Sequence, residues 1–306
     1  MSLSRNENPH LLASAPVVVG VDGTPEASHA VVWAAHTASA RERELRIVHG
    51  TNLEMTRALL GSYSVVNQDV VLPISQHGEE LVAAARQVAE KIDPDLRIST
   101  EVSPEHPARL LIEHSATAHM VVIGGPEPRR GLNRLGSILL SVSSHSRGAV
   151  VTVRSPAADA PPPSSGPVVV GVDGSPVSEA AIEVAFREAA LRGAPLVAVR
   201  AWSDLYLSQF SGIIDTSIEA DQIAEAERSL LVERLAGYRE NYPEVEVTRD
   251  IHLADPCDHL LTWSDTAQLL VVGSRGRGGF TGMLLGSTSN ALVQQANCPV
   301  MVVHPE

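Results

Sequence analysis

Apolar residues along this chain fall in short runs separated by longer amphipathic segments. Val168–Val172 is a β-branched run, interrupted only by Gly171, that is too short for a helix and stops at Asp173-Gly174. From Pro176 or Ser178 to about Arg192, apolar Ala181, Val184, Ala185 and Ala189 follow helical spacing, and Gly193 ends the segment. The pattern then predicts strands at Leu196–Ala201, near Val245–Ile251, at Leu269–Val272 and at Val300–Val303. Helices are predicted near Thr216–Tyr238, from Pro256, and over Ser287–Ala296. Strands that are apolar on both faces and alternate with helices imply a parallel sheet covered on both sides. Right-handed crossovers and a reversal of strand order follow, and ligands are expected at the carboxyl ends of the strands.

The pattern occurs twice. Pro16 to Pro25 reads as Pro167 to Pro176 does, 151 residues later, with Thr24 against Ser175 the single difference. Met120–Gly124 matches Leu269–Gly273, and Gly136-Ser137 matches Gly286-Ser287, in the same order. Such full-length self-similarity marks a duplicated domain. The expected organisation is a loose extension over 1–15, a first domain over 16–154, a linker over 155–166 and a second domain over 167–306. The linker holds Pro161-Pro162-Pro163 and offers little to pack.

Composition narrows the function classes. A formal net charge of −13 gives no counterion-release energy on nucleic acid, so no nucleic-acid partner is expected. No apolar run approaches the ~18 residues of a spanning helix, so no membrane partner is expected. Ala13-Ser14-Ala15 resembles a cleavage site, but only Leu11-Leu12 precede it as an apolar core, and the expected location is cytoplasmic. Cys257 and Cys298 are not spaced as metal ligands. His114 and His119, and His252 and His259, are not clean one-face helical pairs with a carboxylate partner, and no metal site is expected from them.

Candidate chemistry sits after the apolar run Leu269–Val272. There the chain reads Gly273, two residues, Gly276, nine residues, Gly286-Ser287. A strand, a glycine-rich loop and a helix N-terminus together make an anion cradle, because glycines admit close backbone approach and helix N–H groups point outward. Lys91 is the single lysine, so a phosphate loop of the Gly-Lys-Ser/Thr kind is excluded, and Arg275 and Arg277 are the cations at hand in the loop. Asp173 ends a strand like Gly273, which places both motifs at one crevice although 100 residues apart.

These residues resemble the universal stress proteins, in their tandem two-domain, ATP-binding form. The likeness rests on Gly273-x-x-Gly276-(nine)-Gly286-Ser287, on Gly-Val-Asp173-Gly-Ser-Pro, and on Asn297-Cys-Pro-Val-Met-Val-Val303. It implies two Rossmann-like α/β domains, each a five-stranded parallel sheet in the order 3-2-1-4-5 flanked by helices. It implies an adenine nucleotide, ATP or ADP or AMP, with Mg²⁺ bridging its phosphates. Asp173 would contact ribose or adenine and the backbone of Ala201 would face adenine, with Gly171 behind and Asp204 just beyond. Gly273 would approach ribose. Gly276, Gly286 and Ser287 would hold phosphates, with Ser274, Arg275, Arg277, Gly278, Gly279 and Thr288 completing the loop and helix start.

The first copy departs from this pattern. Gly20, Asp22, Gly124, Gly136 and Ser137 remain, but only eleven residues separate Gly124 from Gly136. Pro126 or Glu127 stands where the middle glycine belongs; proline removes an N–H and glutamate brings negative charge towards a phosphate, which Arg129, Arg130 and Arg134 offset in part. One sound site in the second domain and a degenerate one in the first are expected. The favoured function is a nucleotide-binding stress-response regulator that is not an efficient enzyme, since no general base stands out to activate water. A slow ATPase, a nucleotidyl-transferring enzyme and a nucleotide-independent interaction module stay open as alternatives. The resemblance also points to the final strands, Ala149–Val153 and Val300–Val303, as pairing edges, and a homodimer and a regulatory protein partner are expected.

Overall fold

A computed structural model describes residues 14–53, 55, 67–125, 137–155, 160–202, 220–276 and 284–305. The chain divides into two compact units at Pro162/Pro163. Each is a parallel sheet with helices in its crossovers.

In the first unit the order along the chain is β1 (Val17–Gly20), α1 (Pro25–Ala40), β2 (Leu45–Gly50), α2 (Asn67–Ile92), β3 (Ile98–Ser103), α3 (Pro107–Ser115), β4 (Met120–Gly124), α4 (Ser137–His145) and β5 (Ala149–Val153). The strands lie in the order β3-β2-β1-β4-β5. All pairs are parallel, with Val17 opposite both Leu45 and Met120. The β-branched runs are buried on both faces, and Val17, Val18 and Val19 have no exposed surface. Valines suit such strands because a branched Cβ is already stiff and packs well on a pleat.

The second unit repeats the plan with β6 (Val168–Gly171), α5 (Pro176–Arg192), β7 (Leu196–Trp202), α6 (Ala220–Asn241), β8 (Val247–Leu253), α7 (Pro256–Trp263), β9 (Leu269–Gly273), α8 (Ser287–Gln295) and β10 (Val300–Val303). Its strand order is β8-β7-β6-β9-β10, again parallel throughout. The five-stranded 3-2-1-4-5 sheets expected from the sequence are therefore present in both halves. The helix expected near Thr216–Tyr238 is described over Ala220–Asn241 and other ends move by a residue; among the strands, β8 lies two residues later than the apolar pattern placed it and β7 runs on through Trp202. The register explains both, since Ala201 pairs with His252 and Trp202 with Leu253, which extends a ladder that periodicity alone does not see. Phe186 of α5 is fully buried and stacks on Tyr238 and Tyr242 with centroids 5.4 and 5.8 Å apart, tying α5 to the end of α6.

The turn after the first strand of each unit shows why Asp-Gly-Ser/Thr-Pro recurs. Asp22 Oδ1 accepts from the Thr24 N–H at 3.0 Å, and Asp173 Oδ1 accepts from the Ser175 N–H at 2.9 Å. Gly23 and Gly174 sit at φ +82° and +80°, where a side chain would strain the backbone. Thr24 and Ser175 then cap their helices, accepting from the N–H groups of Ala27 and Ser178 at 3.2 Å, and Pro25 and Pro176 open the first turn. Gly193 closes α5 in the left-handed conformation at φ +58°.

Candidate functional site

In the second unit β6 is flanked by β7 and β9, so the strand order reverses beside it and opens a crevice at the carboxyl ends. Asp173 stands at one side of that crevice. The loop leaving β9 forms the other. Gly276 lies so close to Asp173 that a Cβ added there would approach Oδ2 more closely than the 3.0 Å real side chains keep. The two motifs predicted to converge do meet, and the missing side chain at 276 is the reason they can.

The loop then reaches α8. Gly286 packs its Cα side towards the Arg275 backbone, with 3.5 Å from an added Cβ to the Arg275 Cα. As N-cap of α8, Gly286 contributes no side-chain hydrogen bond. Thr24, Ser175, His106 and Asp255 each cap their helix with a side chain. An α-helix leaves its leading N–H groups without intrahelical partners, so the Ser287, Thr288 and Ser289 amides head α8 with no side chain folded over them. Ser287 and Arg275 are exposed. Amides at the positive end of a helix dipole, two hydroxyls and an arginine form a set that holds an anion. Among the described residues of the set, no nucleophile and base are paired.

Several predicted contacts have other jobs. Ser274 is 1% exposed; its N–H donates to the Val303 carbonyl at 2.7 Å and its own carbonyl accepts the Gly286 N–H at 2.8 Å. Ser274 therefore fastens the loop to β10 and to the start of α8, and the Gly286 amide expected on a phosphate is already used. The side of Gly273 where a Cβ would lie faces Val177 of α5, 2.9 Å from its Cγ1. That glycine lets α5 pack tightly, and Gly124 does the same in the first unit against the Glu26 and Ala27 backbone. Gly171 faces Leu260 at 3.1 Å and Gly20 faces Leu111 at 3.0 Å, each beneath a helix. Ala201 lies within β7, one residue before its end. Asp204, Arg277, Gly278 and Gly279, with Pro126, Glu127, Arg129, Arg130, Arg134 and Gly136 of the first copy, lie outside the described residues. Ser137 begins α4.

Two residues at the crevice were not singled out from the sequence. Arg200, 8% exposed, donates from Nη1 to the Val172 carbonyl at 3.2 Å and pairs through Nε with Glu227 of α6 at 2.8 Å. It fixes the peptide immediately before Asp173. At the matching register of the first unit, the His49 Nδ1–H donates to the Val21 carbonyl at 2.7 Å. Ser178, buried in the first turn of α5, accepts from the Asp173 and Gly174 amides at 3.2 and 3.3 Å, a role for which the first copy has Ala27. The signal available for Arg200 was its position in the repeat, a polar side chain at the same distance from the strand-one aspartate as His49; Ser178 has only Ala27 opposite it.

A further group forms at the sheet edge. Asp250 of β8 accepts from Trp263 Nε1–H at 2.6 Å and faces His259 Nε2 at 2.7 Å and His252 Nε2 at 2.9 Å. Burial raises the Asp250 carboxyl, but the Trp263 and His259 hydrogen bonds and the two imidazoles outweigh it and hold the group below the ordinary carboxylate value. The seven-residue separation of His252 and His259 thus conceals a shared carboxylate partner.

A parallel sheet whose strand order reverses at β6, with an aspartate just past that strand and a glycine loop running into an open helix N-terminus, defines the doubly wound class of α/β proteins. The sequence model of the universal stress protein family matches residues 15–154 and again 165–304. A universal stress protein of Mycobacterium tuberculosis is 40% identical over 295 residues, covering 94% of this chain and 96% of that protein. One from Mycolicibacterium smegmatis is 39% identical over 301 residues, covering 94% and 97%. The crystal structure of a universal stress protein from Archaeoglobus fulgidus covers 96% of this chain and 98% of its own, with a TM-score of 0.66 and 17% identity, a likeness of fold. The chain belongs to the universal stress protein family, as a tandem of two such domains.

Proposed function

We propose that the second domain binds an adenine nucleotide, ATP in the first instance, and that the nucleotide sets the affinity of the chain for a regulatory protein partner. The observation that carries this reading is the seating of the Asp173 carboxylate against Gly276, beside the uncapped start of α8. A carboxylate suits ribose hydroxyls or the adenine amino group, all donors, and the α8 amides suit phosphate oxygens, all acceptors. Arg275 adds the fixed positive charge that the lysine-poor chain supplies nowhere else in the described loop. Asp173 Oδ1 is engaged by the Ser175 amide, so a Mg²⁺ ion in this site would be held chiefly by the phosphates.

The set binds and orients; it offers little towards hydrolysis, and the proposal is a regulator rather than an efficient ATPase. A single sound site per chain is part of it, because Pro126 and Glu127 oppose phosphate in the first copy. A cytoplasmic homodimer belongs to the same reading. The test is direct. Full-length protein purified without added nucleotide is denatured, and the released small molecules are identified and counted by mass spectrometry. Close to one adenine nucleotide per chain is expected. No release, together with no heat on titration with ATP, overturns the proposal; two per chain refutes the single-site part of it.

A further inference from the structure

Residues 250–259 read Asp-Ile-His-Leu-Ala-Asp-Pro-Cys-Asp-His. Asp250 and His252 are two apart on β8 and so project from the same face of the strand. The chain turns at Asp255-Pro256, and α7 returns with His259 and Trp263 one helical turn apart. Both imidazole Nε2 atoms come to rest on the one carboxylate, His252 on Oδ1 and His259 on Oδ2, with ring centroids 4.6 Å apart. One ligand-capable atom from each of the three residues lies within 4.8 Å of the others. The Asp250 and His259 side chains are 14% and 19% exposed, whereas His252 is 57% exposed. The group is anchored in the protein on two members and open to solvent on the third.

We infer that Asp250, His252 and His259 bind a divalent transition ion of the zinc type, with water in the remaining position. Two imidazole nitrogens and one carboxylate oxygen are a donor set suited to such an ion and unsuited to Mg²⁺ or Ca²⁺, which take oxygen. Zinc–nitrogen and zinc–oxygen bonds of about 2.0–2.2 Å place tetrahedral ligand atoms about 3.3 Å apart. The nitrogen–oxygen separations of 2.9 and 2.7 Å run to the two different carboxylate oxygens and widen slightly, while the three ligand atoms, within 4.8 Å of one another, draw together by rotation of the exposed His252 side chain. Each imidazole then carries its proton on Nδ1 instead. Trp263 Nε1–H on Oδ2 holds the carboxylate in place, the supporting bond that metal-binding carboxylates ordinarily have.

The duplication supplies an internal comparison. The registers of β3 on β2 and of β8 on β7 align Glu101 with Asp250 and Ser103 with His252. Leu111 and Leu260 both touch the strand-end glycine of their unit, which aligns Leu110 with His259 and His114 with Trp263. The first copy keeps one carboxylate–imidazole pair, Glu101 to His114 at 3.0 Å, and has serine and leucine where the second has histidines. The fold stands without the two histidines. Their pairing on one carboxylate is therefore a feature of the second copy, not a requirement of the sheet edge.

The experiment uses the full chain, without a histidine tag, stripped by chelator and free of added nucleotide. It is titrated with ZnCl₂ by calorimetry and with CoCl₂ by visible absorption, beside His252→Ala, His259→Ala and a control, His77→Ala, whose exposed imidazole lies 3.8 Å from Glu80. Circular dichroism and melting curves establish that each variant is folded; the exposure of His252 makes its variant the decisive one. One tight zinc site per chain is expected, with affinity falling at least tenfold in both site variants and unchanged in the control, and a cobalt spectrum lost in parallel. Wild-type affinity in folded His252→Ala overturns the inference, as does equal weakening in His77→Ala or a wild type that takes up no zinc at micromolar concentration.

Discussion

Replacing Gly276 by alanine tests the nucleotide crevice at its narrowest point. The new Cβ would enter the space of Asp173 Oδ2. The contact is with the flexible end of the Asp173 side chain, so the carboxylate turns aside. Turning it breaks or bends the bond from the Ser175 amide at 2.9 Å, which precedes the first turn of α5. A hydrogen bond to a charged group contributes about 1.5–3 kcal/mol net, and partial retention by rotation brings the expected stability loss to about 1 kcal/mol. On the proposed reading the effect on ligand is larger in proportion, because the displaced group is the one that would face ribose or adenine and the methyl would stand beside it.

Isothermal titration with ATP is the assay, and Gly276→Ala is expected to bind at least tenfold more weakly, a loss of about 1.4 kcal/mol or more. Urea denaturation without nucleotide separates this from unfolding. Gly237→Ala is the matched control: it lies in α6 with nothing within 4 Å of an added Cβ, so the same substitution should stabilise the chain by up to ~1 kcal/mol and leave ATP binding alone. An ATP affinity for Gly276→Ala within twofold of wild type would refute the reasoning, since the methyl cannot be placed without moving Asp173.

Gly124→Ala should destabilise the first domain by about 2–3 kcal/mol in urea, because the Cβ meets the Glu26 carbonyl at 2.6–2.7 Å and the Ala27 nitrogen at 2.8 Å, backbone atoms that cannot give way. Gly273→Ala should cost less, since its nearest contact is the Cγ1 of Val177 at 2.9 Å and backbone begins at 3.2 Å; the opposite ranking would show that helix packing is not what these glycines serve. Asp93 is held below its ordinary value of 3.8 by the Ser39 hydroxyl at 2.6 Å and the Asp95 amide. A depressed carboxylate stabilises the fold above the unfolded value and loses that contribution as pH falls through the folded one. Ser39→Ala should accordingly narrow the stability difference between pH 6 and pH 3; an unchanged acid limb would exclude Asp93 from it.

The strands, the duplication and the meeting of Asp173 with Gly276 were legible because each is written locally. A β-branched run ending in Asp-Gly specifies both a buried parallel strand and the turn that follows, and the glycine spacing specifies a loop of fixed reach. The individual hydrogen bonds of that loop were not legible. Ser274 reads as a hydroxyl beside a phosphate, yet its direction is set by the last strand, which takes its amide and turns the residue inward. Arg200 and Ser178 act on the Asp173 turn from a neighbouring strand and from the helix, through register and packing that no spacing rule encodes. The Asp250 cluster is hidden for the same reason. Its members lie on two elements with different periods, and seven residues between histidines mean nothing until the turn at Asp255-Pro256 folds one element onto the other.

The two copies separate what the fold needs from what the second domain adds. Gly20 and Gly171, Gly23 and Gly174, and Gly124 and Gly273 do the same packing and turning work in both. Several side chains that differ between matching positions lie towards the carboxyl end of the second sheet: His49 against Arg200, Ala27 against Ser178, Gly125 against Ser274, Ser103 against His252, Leu110 against His259. Three of these changes install a polar side chain where the first copy has none, two exchange one polar side chain for another, and all leave the strand order untouched. Arg200 and Ser178 hold the peptide on either side of Asp173, which stiffens the carboxylate where a nucleotide would meet it. A stiff site loses less freedom on binding, so a given set of contacts holds a ligand more tightly. The first domain has the same turn, braced by His49 where the second has Arg200, but with Ala27 in place of Ser178. Exchanging Ser178 for alanine would therefore weaken ATP binding in isothermal titration without altering a single residue of the glycine loop.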